Sequence, residues 1–290
     1  MTDNGNGKRK VIVAEHAGFC FGVQRAIDMA LECASGDNKR TYSYGPLIHN
    51  ETVINDLKNK GIEAVDACMD DSIDGKGKTV IIRAHGVSYE EEQYLRHKYD
   101  RVVDATCPFV KKIHNIVEEH SKAGEVIVIT GSPSHPEVLG IQGHISGRFF
   151  VISTEEEALN LDLKSSDRVC VVSQTTFLVN KFKDFVEIIR QKVYDVHAYN
   201  TICNATEERQ AEAQRLAQQV DVMLVLGGEN SSNSKKLYEI CNTWCSETLF
   251  LQDSQGLDLS ALPSFVSIGI TAGASTPHYI IEEVQKKCLK

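Results

Sequence analysis

The stretch "RVVDATCPFVKKIHNIVEEH" (residues 101–120) sets one cysteine between two kinds of segment. Upstream, "RVVDAT" is a short β-branched run that predicts a strand. Downstream, Val110, Ile113, Ile116 and Val117 recur at helical spacing and predict a helix from Pro108 to His120. Proline suits the first helical position, where its missing N–H has no intrahelical acceptor to satisfy, so Cys107 falls at or near the N-cap. A thiol there feels the positive end of the helix dipole and is pushed toward thiolate, the form that attacks electrophiles or binds metals. Taken alone, such a cysteine is as readily a buried structural residue.

The same context occurs twice more. "VIVAEHAGFCFGVQRAIDMALE" (11–32) sets Cys20 after an apolar run and before a helical one, and "YNTICNATEERQAEAQRLA" (199–217) does so for Cys203. The cysteines are 87 and 96 residues apart, which divides the chain into three similar parts. Each part continues with a second strand ending in a polar motif. These are "RTYSYGPLIHN" with His49, "VIVITGSPSHPEV" with His135 and Glu137, and "VMLVLGGENSSNS" with Ser231, Ser232 and Asn233. A third strand follows in each part: "TVIIRAHGVS" with His85, "RVCVVSQTTF" with Thr175 and "FVSIGITAGAS" with Ser275. The alternation of strand, loop and helix predicts α/β architecture with parallel sheets, in which functional side chains lie at the carboxyl ends of strands. Three copies of one unit about a pseudo-threefold axis would aim all nine motifs, and three thiolates, at one central cavity. The expected domains are 21–106, 107–199 and 200–290, the last completed by the N-terminal strand 10–20.

Bulk composition narrows the function. At 290 residues, 42% hydrophobic and 24% charged, the chain is an ordinary globular one with enough apolar residues for a real core. The start "MTDNGNGKRK" has no apolar segment after it and no run approaches a membrane span, so the protein is expected to be cytoplasmic, with no membrane partner. A net charge of -9 without a basic stripe argues against nucleic acid. Nine cysteines without a C-x-x-C pair exclude a zinc ribbon, a thioredoxin-type pair and a ferredoxin run. A disulfide framework is out of place in a chain of this size with no export signal.

Three converging cysteines would suit a 4Fe–4S cluster with one iron open as Lewis acid and electron carrier, in preference to zinc, whose structural ligands are usually paired locally. Cys33, Cys68, Cys170, Cys241, Cys245 and Cys288 fall outside the repeated phase and read as structural. Cys241 and Cys245 are one helical turn apart, and Leu237, Tyr238 and Trp244 nearby favour core packing for them. His49, His85, His135, Ser231, Ser232, Asn233 and Ser275 are donors with no lysine or arginine among them. Beside glycine-bearing loops at helix N-termini they suit a phosphate or diphosphate. Singly, each residue is as easily a cap or a core histidine; the shared phase of the repeats reverses that. Glu137, the one carboxylate in the nine motifs, would have a raised pKa in such a cavity and suit a general acid, with the Thr175 hydroxyl as relay.

In order along the chain, "GFCFGVQRAI", "GPLIHN", "AHGVS", "DATCP", "HPEV", "QTT", "CNAT", "SSNS" and "TAGAS" resemble the signature set of the 4-hydroxy-3-methylbut-2-enyl diphosphate reductase family, from about residue 10 to residue 288. The resemblance implies a trefoil of three α/β domains around an iron–sulphur cavity, with Cys20, Cys107 and Cys203 as cluster ligands. It implies that His49, His85, His135, Ser231, Ser232, Asn233 and Ser275 hold the diphosphate, and that Thr175 and Glu137 serve the substrate hydroxyl. The implied reaction is reductive dehydroxylation to isopentenyl and dimethylallyl diphosphate, the last step of the non-mevalonate isoprenoid pathway. Electrons would come from an external ferredoxin or flavodoxin. Such donors are acidic, and Lys111, Lys112, Lys181 and Lys183 are the candidate basic patch. Two other readings of the residues stay open: a 4Fe–4S hydro-lyase on a phosphorylated substrate, which needs no reductant, and a non-enzymatic redox or iron sensor, which needs no phosphate donors.

Overall fold

The computed structural model describes residues 9–35, 40–65, 74–260 and 266–289. Cys68 and residues 1–8 of the polar N-terminal stretch lie outside them. From the N-terminus run β1 (Lys10–Val13), α1 (Phe21–Ser35), β2 (Thr41–Tyr44), α2 (Glu51–Asn59), β3 (Ile62–Val65), β4 (Thr79–Ile82), α3 (Tyr89–Lys98) and β5 (Arg101–Asp104). Next come α4 (Pro108–Lys122), β6 (Val126–Thr130), α5 (Pro136–Gln142), β7 (Phe149–Ile152), α6 (Glu155–Leu159), β8 (Arg168–Ser173), α7 (Val179–Arg190) and β9 (Asp195–Ala198). The last part holds α8 (Asn204–Ala217), β10 (Val222–Leu226), α9 (Ser232–Trp244), β11 (Thr248–Leu251), β12 (Ser267–Ala272) and α10 (His278–Cys288).

The fold is α/β, built as three similar four-stranded sheets with strand orders β3-β2-β4-β5, β7-β6-β8-β9 and β11-β10-β12-β1. Every strand pairing is parallel. The chain gathers into two compact units. One comprises the chain up to Cys20, His49–Val53 and the chain from Asn204 onward; the other comprises Phe21–Ile48 and Ile54–Cys203. The first unit carries the sheet containing β1, and the second carries the other two sheets. The sequence reading placed three strands in each part. The fourth strand of each sheet, β3, β7 or β11, ends in none of the polar motifs and lies at an edge.

The central strands are buried on both faces almost throughout, as parallel strands covered by helices must be. All five residues of β6 are buried, and its side chains alternate between two cores. Val126 and Val128 pack with Phe182, Phe185, Val186 and Ile189 of α7 on one face. Ile127 and Ile129 pack with Ile113 and Val117 of α4 and with Val138 and Ile141 of α5 on the other. Ile113 is fully buried, so Ile113→Ala would cost about 2–5 kcal/mol. Local signals set the helix ends: Ser88 and Glu91 form a reciprocal capping box at the start of α3, and Gly124, at φ +80°, turns the chain after α4.

This two-faced arrangement corrects the proposed basic patch. Lys111 and Lys112 ride on α4 and Lys181 and Lys183 on α7, which cover opposite faces of one sheet, so the four form no common surface. Lys111 is in addition ion-paired with Asp104. A second correction concerns Trp244, which is 50% exposed, while Leu237, Cys241 and Cys245 are buried against β10.

Candidate active site

Each of the three cysteines directly precedes a helix: Cys20 before α1, Cys107 as the N-cap of α4, and Cys203 before α8. Their backbone N–H groups make the same bond three times. Cys20 N–H donates to Ala274 O at 3.3 Å, Cys107 N–H to Ala84 O at 3.0 Å and Cys203 N–H to Thr175 O at 3.0 Å. Ala274, Ala84 and Thr175 each lie two residues beyond the strand next to the cysteine's own edge strand, namely β12, β4 and β8. The sheet end therefore fixes each cysteine's backbone through one common contact. Exposure separates the thiols in the same way. Cys20, Cys107 and Cys203 are half-buried, whereas Cys33, Cys170, Cys241, Cys245 and Cys288 are buried.

Two arginines that the sequence reading passed over reinforce these loops. Arg209, 3% exposed on the helix after Cys203, donates to His16 O at 2.8 Å and Gly18 O at 2.9 Å, just before Cys20. Arg25, on the helix after Cys20, donates to Ala105 O at 3.3 Å and Thr106 O at 3.2 Å, just before Cys107. In sequence Arg25 lies five residues past Cys20 and Arg209 six past Cys203, while Lys112 and Ile113 stand at those places after Cys107. Their role was masked by the general habit of arginines to face solvent.

In the second unit, Glu137 and Thr175 form a buried pair, 2% and 7% exposed. Thr175 N–H donates to Glu137 Oε1 and the Thr175 hydroxyl donates to Oε2, both at 2.6 Å. His135, the N-cap of α5, accepts the Glu137 N–H on Nδ1 at 3.2 Å. His85 meets His135 edge to face, with ring centroids 5.4 Å apart. Gly86 follows at φ +73°, and a Cβ there would come within 2.8 Å of the His114 ring, so only glycine fits beside His85.

The first unit holds the hydroxyl and amide donors. Ser231 caps α9 by accepting from Ser234 N–H at 3.3 Å, and Ser275 Oγ donates to His49 O at 3.2 Å. Ser232 opens α9 and Asn233 follows it, 5% exposed. Among the described residues neither Nδ2 nor Oδ1 of Asn233 has a hydrogen-bond partner, a costly state unless a ligand supplies one. The loops around these residues are tight. A Cβ on Gly227 or Gly273 would lie 2.0 Å from Ser234 Oγ, and one on Gly228 would lie 2.7 Å from His49 O. The donors thus fall into two sets, His85, His135, Glu137 and Thr175 in one unit and His49, Ser231, Ser232, Asn233 and Ser275 in the other.

Each of the three half-buried thiols stands at the start of a helix, held there by an equivalent backbone bond, and a cysteine sulphur is a ligand of the type that iron–sulphur clusters take. Among the described residues no helix is long and apolar enough to cross a membrane.

Comparison with known proteins follows the same residues. The model of the LytB protein family matches residues 11–289. A 4-hydroxy-3-methylbut-2-enyl diphosphate reductase of Thermoanaerobacter sp. (strain X514) is 44% identical over 279 residues, 96% of either chain. The enzyme of that name from Alkaliphilus oremlandii is 45% identical over 277 residues, 95% of this chain and 97% of its own. A solved structure described as (E)-4-hydroxy-3-methyl-but-2-enyl diphosphate reductase, the terminal enzyme of the non-mevalonate pathway, aligns with TM-score 0.69 and 40% identity, covering 96% of this chain and 98% of that one. The structure of E-1-hydroxy-2-methyl-but-2-enyl-4-diphosphate reductase from Plasmodium falciparum aligns with TM-score 0.88 and 27% identity, covering 97% of this chain and 87% of that one.

Proposed function

The chain belongs to the LytB protein family, and from that membership we propose that it reduces 4-hydroxy-3-methylbut-2-enyl diphosphate to isopentenyl and dimethylallyl diphosphate. The observation that carries this reading is the threefold cysteine arrangement. Three thiols share one backbone bond and one degree of exposure, in a chain whose relatives bear that enzyme's name. Cys20, Cys107 and Cys203 are the ligands of a 4Fe–4S cluster in this proposal. When bound, the cluster supplies two electrons, one at a time, and an open iron as Lewis acid.

The chain's own residues do the rest. Ser231, Ser232, Asn233 and Ser275, with His49, His85 and His135, bind the diphosphate through hydroxyl, amide and imidazole donors without a lysine or arginine clamp. Asn233 supports this assignment, because its buried amide lacks partners among the described residues. Glu137 delivers the proton that lets the substrate hydroxyl leave as water. Its Oε1 is engaged by the Thr175 N–H, so the proton resides on Oε2, facing the Thr175 hydroxyl. Protonating Oε2 reverses the Oε2–Oγ1 bond, and the threonine then passes its own proton onward to the leaving oxygen.

The domains 21–106, 107–199 and 200–290 with 10–20, a cytoplasmic setting and an external ferredoxin or flavodoxin as donor belong to the same reading. The test is anaerobic: iron and sulphide are added to the purified chain, and oxidation of reduced methyl viologen is followed with and without the diphosphate substrate. Substrate-dependent oxidation with the two isoprenoid diphosphates as products supports the proposal. Loss of water from the substrate without any reductant, giving a dehydrated product in place of the two isoprenoid diphosphates, would replace it with a hydro-lyase.

A further inference from the structure

A second cluster of ligand-type side chains lies toward the far end of α4 from Cys107. A ring nitrogen of His120, a Glu125 carboxylate oxygen and Cys170 Sγ all fall within 4.8 Å of one another. A fourth group joins them, since His197 Nδ1 lies 3.1 Å from Glu125 Oε2, the oxygen that His120 Nδ1 meets at 2.8 Å. Two imidazoles thus aim the same ring nitrogen at one buried oxygen. Glu125 is only 4% exposed and Cys170 fully buried.

The sheet dictates this meeting. Cys170 and His197 are register partners on β8 and β9, so their side chains stand side by side on one face. Cys170 is also the register partner of Ile127, and Glu125, two residues before Ile127, shares its parity. The helix covering that face is α4, and His120 lies in its last turn. His120 and Cys107 are thirteen residues apart on α4, or about 20 Å.

We propose that His120, Glu125, Cys170 and His197 form a tetrahedral Zn2+ site that fastens the end of α4 to β8 and β9. The donor set is one that zinc takes, and two neutral imidazoles, one carboxylate and one thiolate leave the occupied site with no net charge. Tetrahedral Zn–N, Zn–O and Zn–S bonds place ligand atoms roughly 3.3–3.6 Å apart, within side-chain adjustment of the separations among His120, Glu125 and Cys170 and of His197 Nδ1 from Glu125. The outer contacts that orient zinc ligands are already in place. His120 Nε2 meets Tyr199 Oη at 2.8 Å, His197 Nε2 faces Asp195 Oδ1 at 3.7 Å, and Arg168 holds the other Glu125 oxygen at 2.9 Å.

An entry path exists as well: the His197 side chain is 42% exposed and that of His120 14%. Without metal, burial first and Glu125 second push the Cys170 thiol up to about 12. Zinc binding therefore exchanges the thiol proton for a Zn–S bond and releases that proton to solvent. The Glu125 carboxyl, despite its burial, is held below the usual range by hydrogen bonds from His197 and His120, and is ionised and ready to ligate.

The test uses the full chain, stripped of metal and without added sulphide, titrated with Co2+ as an optical stand-in for zinc. A control carries Cys20→Ser, Cys107→Ser and Cys203→Ser together. In the triple-serine background the expected result is a thiolate-to-cobalt charge-transfer band that saturates at about one equivalent, disappears when Cys170→Ser is added and is bleached by Zn2+. His120→Gln and His197→Gln should each weaken cobalt binding by roughly tenfold or more. A band lost in the triple-serine control but kept in Cys170→Ser would overturn the site, as would no band in any form. Should Cys170→Ser fail to fold, unchanged cobalt affinity in His120→Gln and His197→Gln would overturn it equally.

Discussion

Thr175 engages both oxygens of Glu137, the amide on Oε1 and the hydroxyl on Oε2, each at 2.6 Å. A glutamine in that place keeps an oxygen for the amide and offers an NH2 to the hydroxyl, so the fold should survive. Glu137→Gln is expected to lower turnover by about 10²–10⁴-fold, the usual worth of a positioned proton donor. Viologen oxidation measures the loss, and an unchanged cluster spectrum shows that loading is intact. Full activity in this variant would end the proton-donor role.

Replacing Cys20, Cys107 or Cys203 singly with serine should remove most bound iron, measured as iron and sulphide per chain after anaerobic reconstitution. Cys33→Ala and Cys288→Ala, at buried positions, should keep iron content while lowering stability by about 1–2 kcal/mol for the lost packing. Equal iron loss across both groups would show that exposure and phase do not mark the ligands.

Asn233 separates binding from stability. Its two unpartnered amide atoms are a burden to the folded chain, so Asn233→Leu, with the same branching at Cγ, should raise stability by about 1 kcal/mol in urea unfolding. The same change should raise the KM for the diphosphate at least tenfold. A variant that loses stability and keeps KM would mean that the amide serves the fold.

Acid should weaken the second unit through His114. Burial, then the neighbouring His144 and Lys111 against an opposing Asp104, lowers its pKa from 6.5 to about 3. Between those values the unfolded chain binds more protons than the folded one. The contribution is therefore complete above pH 6.5 and declines as pH falls, by about 2 kcal/mol at pH 5. Thermal midpoints of wild type and His114→Phe between pH 7 and pH 5 check this, and the variant's slope should be the shallower.

The repeated strand, cysteine and helix could be read from the sequence because each signal is local: a β-branched run, a thiol, and an apolar stripe at helical spacing. The Pro108 helix and the N-cap position of Cys107 followed from those signals alone. Features that depend on which face of a sheet a helix covers did not. The lysines of α4 and α7 seemed to form one patch until the alternation along β6 set them on opposite sides. The edge strands β3, β7 and β11 carry no motif, so nothing in the repeat phase called for them. Glu125 and Cys170 stand far apart in the chain and meet only through strand register.

The pairing of β1 with β12 governs the order in which the chain can acquire its form during synthesis. Lys10 emerges from the ribosome long before its register partner, Ser267. The sheets of the second unit lie wholly within Phe21–Cys203 and can close while the remainder is still being made. The first strand has to wait until β12 is made, since its bonds to that strand cannot form sooner. Ala274, which receives the Cys20 N–H, is made later still. A nascent chain that stops before β12 leaves Cys20 without that anchor, so incomplete products should be poor at capturing iron.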